Sequence, residues 1–161
     1  MNKFLKLTET QRRTVFEQTA ARINLPVAAI EKDFWVTEIL DILFSLPYAD
    51  KMVFKGGTSL SKIWGVIRRF SEDIDIAIDR SLFGIAGDVT KKQLKKLRKE
   101  SSVFVRDTLA GDLIKAAEKT GLNEFITIKA DPDGEGDATY PEPRQIHIIY
   151  KSVLSETTNP Y

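Results

Sequence analysis

The 161 residues include no cysteine and a single histidine, His147. The first absence excludes a disulfide framework and zinc–thiolate sites, and it is compatible with a cytosolic protein. The second excludes histidine-based metal clusters and most His-dependent triads. Neither sign of charge predominates: 24 Lys and Arg stand against 23 Asp and Glu, for a formal net charge of +1. The molecule as a whole is therefore no general attractor of nucleic acid, and any RNA or DNA contact must come from a local patch. No apolar run approaches the ~20 residues that span a bilayer. The opening "MNKFLKLTETQRRTVFEQTA" lacks the apolar stretch of a signal peptide. Internal repeats and low-complexity segments are absent too. What is present, 42 % apolar and 29 % charged residues, fits one soluble globular domain.

Helical signals come first. Thr8 with Gln11 reads as a capping box opening a helix to about Ile23, with Val15, Phe16 and Ala20 inward. A second helix follows through "NLPVAAIEKDFWVTEILDILFSL". Pro26 suits its first turn, and Ile30, Phe34, Ile39, Leu40 and Leu43 recur at helical spacing. "KMVFK" is short and apolar and reads as a buried strand. Leu60, Ile63, Trp64 and Ile67 then mark a helix face, so Gly56 and Gly57 lie at a strand-to-helix turn. In "DIDIAID" the alternation is strict: Ile74, Ile76 and Ile78 share one face of a strand, and Asp73, Asp75, Ala77 and Asp79 share the other. Residues 88 to 120 read as helical, with Gly111 a possible break and Gly121 a C-cap. "EFITIKA" and "QIHIIYKSVL" are strand candidates on either side of the loop "DPDGEGDATYPEPR". This order predicts helices over 1–50, a core of glycine turn and acid pair over 51–80, and helices with further strands over 81–161. Such a chain is an α+β domain with a mixed or antiparallel sheet.

The chemistry concentrates in "FKGGTSLSKIWGVIRRFSEDIDIAID". Asp73 and Asp75 sit two apart on one strand, with Cα atoms roughly 6.5–7 Å apart. Their carboxylates repel unless a hard divalent cation neutralises them, and such a cation prefers oxygen ligands and substrate phosphates. Backbone N–H groups at a glycine turn can cradle a phosphate. Thr58 and Ser59 add hydroxyls, and Lys62 adds a point charge one turn on.

"FKGGTSLSK" followed by "RFSEDIDI" resembles the signature of the AbiEii/MenT-type nucleotidyltransferases, toxin components of bacterial type IV abortive-infection and toxin–antitoxin systems. "EKDFWVTEIL", Glu31 to Leu40, is similar to the helix that precedes that signature. The resemblance spans roughly residues 25 to 80. It implies a polymerase-β-like nucleotidyltransferase fold, α+β, with a mixed sheet flanked by helices. It also implies that Gly56, Gly57, Thr58 and Ser59 hold the phosphates of an NTP, and that Asp73 and Asp75 are ligands of Mg²⁺ or Mn²⁺. Ser71 either contacts a phosphate or the metal's water shell, or caps the start of the strand. Lys62 pairs with phosphate or is a solvated helix residue. Lys32 and Asp33 match the family's helix and suggest an internal polar pairing.

Two features depart from the pattern. Fifteen residues separate Gly57 from Asp73, more than is usual in the wider superfamily. The third carboxylate usual in this fold is missing from "ITIK" and "QIHIIYKSVL", while Asp131, Asp133, Glu135, Asp137 and Glu142 fall in or beside a loop. The expectation is an N-terminal piece ending before a C-terminal part, or a degenerate protein. The implied activity is transfer of NMP from an NTP to RNA, with tRNA 3′ ends favoured, by a cytoplasmic toxin restrained by an antitoxin. Alternatives are a catalytically incomplete nucleotide- or antitoxin-binding module and a phosphotransferase.

Elsewhere, "KKQLKKLRKE" reads as a solvated helix face or as a patch for RNA phosphates. Arg68 and Arg69 face either the site's mouth or solvent. His147 is expected as a packed or edge histidine, and Trp35 and Trp64 as core.

Overall fold

The computed structural model describes residues 2–66, 73–132 and 144–154. Its principal elements are α1 (Glu9–Ile23), α2 (Val27–Phe44), β1 (Met52–Lys55), α3 (Gly56–Lys62), β2 (Asp75–Ile78), α4 (Lys91–Val103), α5 (Ala110–Thr120), β3 (Ile126–Ala130) and β4 (Ile146–Tyr150). The class is α+β, as expected. The strands form two pairs, β1 with β2 and β3 with β4. In the first, Asp79 just after β2 donates its N–H to the carbonyl of Lys51 just before β1, at 2.8 Å. In the second, Asp131 after β3 donates to Gln145 before β4, at 3.2 Å. Both pairs are therefore antiparallel. Among the described residues, no helix is long and apolar enough to cross a membrane.

The chain divides into two compact units. One comprises Met1–Asp41, Phe54–Asp75 and Tyr150–Tyr161. Here Thr8 and Gln11 form the expected reciprocal capping box, and α1 ends at Asn24 in the left-handed conformation, φ 55°. Phe16 and Ala20 are buried, but Val15 is 40 % exposed. The buried stripe of α1 runs Arg12, Phe16, Ala20, four residues apart, and Val15 falls beside it. Rings of Phe4, Phe16 and Phe34 meet at centroid distances of 4.8–5.9 Å. Trp35 stacks on Tyr150 at 5.5 Å and is core, as expected. Trp64 is not: it is 70 % exposed, and Leu60 and Ile63 are exposed with it. The reason is that α3 stops at Lys62 with Ile63 as its cap, so the helical face predicted through Trp64 is never completed. Ile67, its last member, lies outside the described residues.

The other unit comprises Ile42–Val53 and Ile76–Ile149. Thr90 and Gln93 form a second capping box at the head of α4. A π-helical turn, Phe104–Leu109, joins α4 to α5. Gly111 lies inside α5 and breaks nothing; the irregularity is the π turn before it, and Gly121 is the left-handed cap at φ 77°. Leu109, Leu113 and Ala117 bury one face together with Leu122 and Ile126. Phe104 receives the rings of Tyr48 and Phe83 edge-on, at 5.1 and 5.7 Å. The Tyr48 hydroxyl donates to Asp112 at 3.2 Å. Burial and the adjacent carboxylate push the Tyr48 phenol well above its ordinary range. His147 is an exposed strand residue, with Nε2 2.7 Å from Asp131 Oδ1.

Candidate functional site

β1 delivers the chain directly into Gly56, whose φ of +75° lies in the left-handed region. Its missing side chain has a second use. A Cβ at Gly56 would overlap Asp75 Oδ2 and lie 2.7 Å from Asp75 Cγ. The Asp75 carboxyl group therefore rests against the glycine backbone in space that any other residue would fill. Asp73 is tied to the same turn. Thr58, 2 % exposed, donates its hydroxyl proton to the Asp73 carbonyl at 2.6 Å. Ser59 beside it is also buried, at 4 %. The glycine turn and the start of the acid strand, separated in sequence by the long insertion, are thus one local structure.

The alternation of the acid strand carries through to burial. Asp73, Asp75, Ala77 and Asp79 are exposed, while Ile74, Ile76 and Ile78 are partly buried. Asp79, third of the acids, has other work. Its carboxylate accepts the Ser81 N–H at 2.7 Å and caps the short 3-10 turn Arg80–Phe83. Those Ser81 hydrogen bonds hold Asp79 below the usual carboxylate range.

Lys62 is drawn to α2. Its Nζ lies 2.6 Å from Asp33 Oδ1 and 3.0 Å from Thr37 Oγ1, and it donates to the Asp33 carbonyl at 3.4 Å. The polar pairing expected at Asp33 is present, with Lys62 as the partner. It ties α3 to α2.

Sequence reasoning passed over Glu31. It is 1 % exposed; its carboxylate accepts the Ser152 hydroxyl at 2.7 Å and the Val153 N–H at 2.8 Å. The signal was available: Ala28, Glu31, Trp35, Ile39 and Ile42 are spaced as one helical stripe, and all are buried. A carboxylate on such a stripe needs an internal partner.

Two exposed carboxylates, Asp73 and Asp75, beside a glycine turn are oxygen donors of the kind that a hard divalent cation takes. Among the described residues no group of three His, Cys, Asp or Glu side chains gathers in one place. Ser71, Arg68 and Arg69 lie outside the described residues, as do Asp133, Glu135, Asp137 and Glu142.

Comparison with known proteins adds one finding. The family model described as nucleotidyl transferase AbiEii toxin, type IV TA system, matches residues 38–148. That range holds the glycine turn, the acid strand and all four β-strands up to His147 and Ile148 of β4. No curated protein and no solved structure matches the chain. With the family model covering well over half its length, the chain belongs to the AbiEii nucleotidyl transferase toxin family of type IV toxin–antitoxin systems.

Proposed function

We propose that the chain transfers a nucleoside monophosphate from an NTP to a hydroxyl of RNA, with the 3′ end of tRNA as the favoured acceptor. The observation that carries this reading is the seat of Asp75 against Gly56, which joins an acid pair to a glycine turn within one unit. Gly56 and Gly57, with the backbone N–H groups of Thr58 and Ser59, would take the triphosphate. Thr58 keeps the first turn of α3 registered to Asp73 through its hydroxyl. Lys62 would steady α3 through its ion pair with Asp33. Ser71, two positions before Asp73 in sequence, is the candidate for contact with a phosphate or the metal's water shell. Asp73 and Asp75 would hold Mg²⁺ or Mn²⁺, which supplies charge neutralisation on the triphosphate and on the pyrophosphate as it leaves. The acceptor oxygen bonds to the α-phosphorus while the bond to the β-phosphate oxygen breaks. The family implies an antitoxin partner, which would restrain this activity, and the compartment proposed is a bacterial cytoplasm.

The absence of a third carboxylate beside the pair among the described residues favours a second reading, a nucleotide-binding module with slow transfer or none. Product analysis separates the possibilities. With Mg²⁺, NTP and pooled tRNA, the proposal expects pyrophosphate from wild type and none from Asp73→Asn/Asp75→Asn. A nucleoside diphosphate as product would make the chain a phosphotransferase. NTP binding without any product would make it the binding module.

A further inference from the structure

The second unit carries a surface that the acid pair and glycine turn leave unused. An open groove of about 1010 Å³ runs along α4. Its floor is apolar and aromatic, with Phe83 and Phe104 packed edge to face at 5.7 Å and Val103 beside them. Its rim is Lys92, Lys95, Lys96 and Lys99, four ammonium groups against the single carboxylate of Glu100. Their spacing, i, i+3, i+4, i+7, puts all four on one helical face over about 10 Å of rise. Lys96 shares its charge with Glu100 at 3.5 Å. Lys92, Lys95 and Lys99 are exposed and make no ion pair among the described residues. In a chain whose net charge is only +1, this is a marked local excess of one sign.

We propose that this groove binds a single-stranded stretch of RNA, with phosphates on the lysine rim and unpaired bases against the aromatic floor. A lysine face alone would suit any polyanion. A lysine rim around phenylalanine rings suits a polyanion that also carries flat apolar groups, and single strands expose their bases where duplexes hide them. The preference for RNA over other single strands rests on the transfer reading above. An acidic protein segment would satisfy the rim without needing the rings.

The test is direct binding of a short fluorescent RNA, without NTP or metal, measured by anisotropy across a salt series. Lys92→Glu/Lys95→Glu/Lys99→Glu changes only exposed side chains, and thermal unfolding checks that it folds. If it does not, Lys92→Gln/Lys95→Gln/Lys99→Gln replaces it. Binding should weaken at least tenfold, and the slope of log K against log salt should fall by about 2, from ~0.7 per lost phosphate contact. Phe83→Leu should lower the preference for single-stranded over duplex RNA and leave the salt slope unchanged. Equal binding by wild type and the triple variant, or equal binding of single-stranded and duplex RNA by wild type, overturns the proposal. Failure here is distinct from failure of the transfer reading. A triple variant that still modifies RNA at an unchanged KM removes the groove and spares the chemistry. A wild type that binds RNA through these lysines and transfers nothing does the reverse.

Discussion

At Gly56 any side chain meets two obstacles, a left-handed backbone and the carboxyl group of Asp75. The first costs about 1–2 kcal/mol for an L-residue. The second is relieved when the exposed Asp75 side chain swings away, which moves a candidate metal ligand. Gly56→Ala should therefore fold with a modest loss of stability while NMP transfer falls on the order of a hundredfold, the usual consequence of misplacing a reacting group. Urea unfolding and a transfer assay on the same preparation check this; unchanged transfer would show that Asp75's seat is irrelevant to the chemistry. Glu31 gives the opposite profile. It lies on α2, and its carboxylate accepts from Ser152 and Val153, so Glu31→Ala should cost about 2–4 kcal/mol through two lost charge-assisted hydrogen bonds. Denaturant midpoints measure it, with Glu31→Gln expected between the two.

Among the elements, the segment before β1 is fastened to α5 by Tyr48 and Asp112. An unfolded tyrosine ionises near pH 10, and folding raises the phenol above that. Below pH ~10 both states keep the proton and stability is unaffected; above it the unfolded chain loses a proton that the folded chain retains, so stability falls as pH rises. Tyr48→Phe should remove that alkaline decline, seen by comparing unfolding free energies at pH ~9 and ~11. Local patterns made much of this architecture legible. Thr8 with Gln11, the alternation of "DIDIAID" and the glycines after "KMVFK" are each decided within a few residues, and each stands where expected. Trp64 and the π turn are different. Periodicity says which face a residue occupies, but Trp64 is exposed because α3 ends two residues before it. The Phe104–Leu109 turn carries no glycine or proline to announce it. The Lys62–Asp33 pair was half legible: the polar residue was suspected, but its partner lies 29 positions away.

For the molecule as a whole, sequence and family agree on the class of protein: an α+β member of the AbiEii nucleotidyl transferase toxins. The near-zero net charge excluded a general nucleic-acid magnet and pointed to patches, and the basic stretch of α4 does line a groove. That the acid pair meets the glycine turn was not readable from local pattern alone, because fifteen residues separate Gly57 from Asp73; chain separation conceals a meeting that folding creates. That meeting makes one measurement decisive. Wild type and Asp73→Asn/Asp75→Asn are incubated with Mg²⁺, pooled tRNA and each α-labelled NTP in turn. Label on the RNA from wild type alone is the expected result, and the NTP that gives it is the substrate. Label from both proteins would contradict the assignment of Asp73 and Asp75, and label from neither would contradict transfer by this chain.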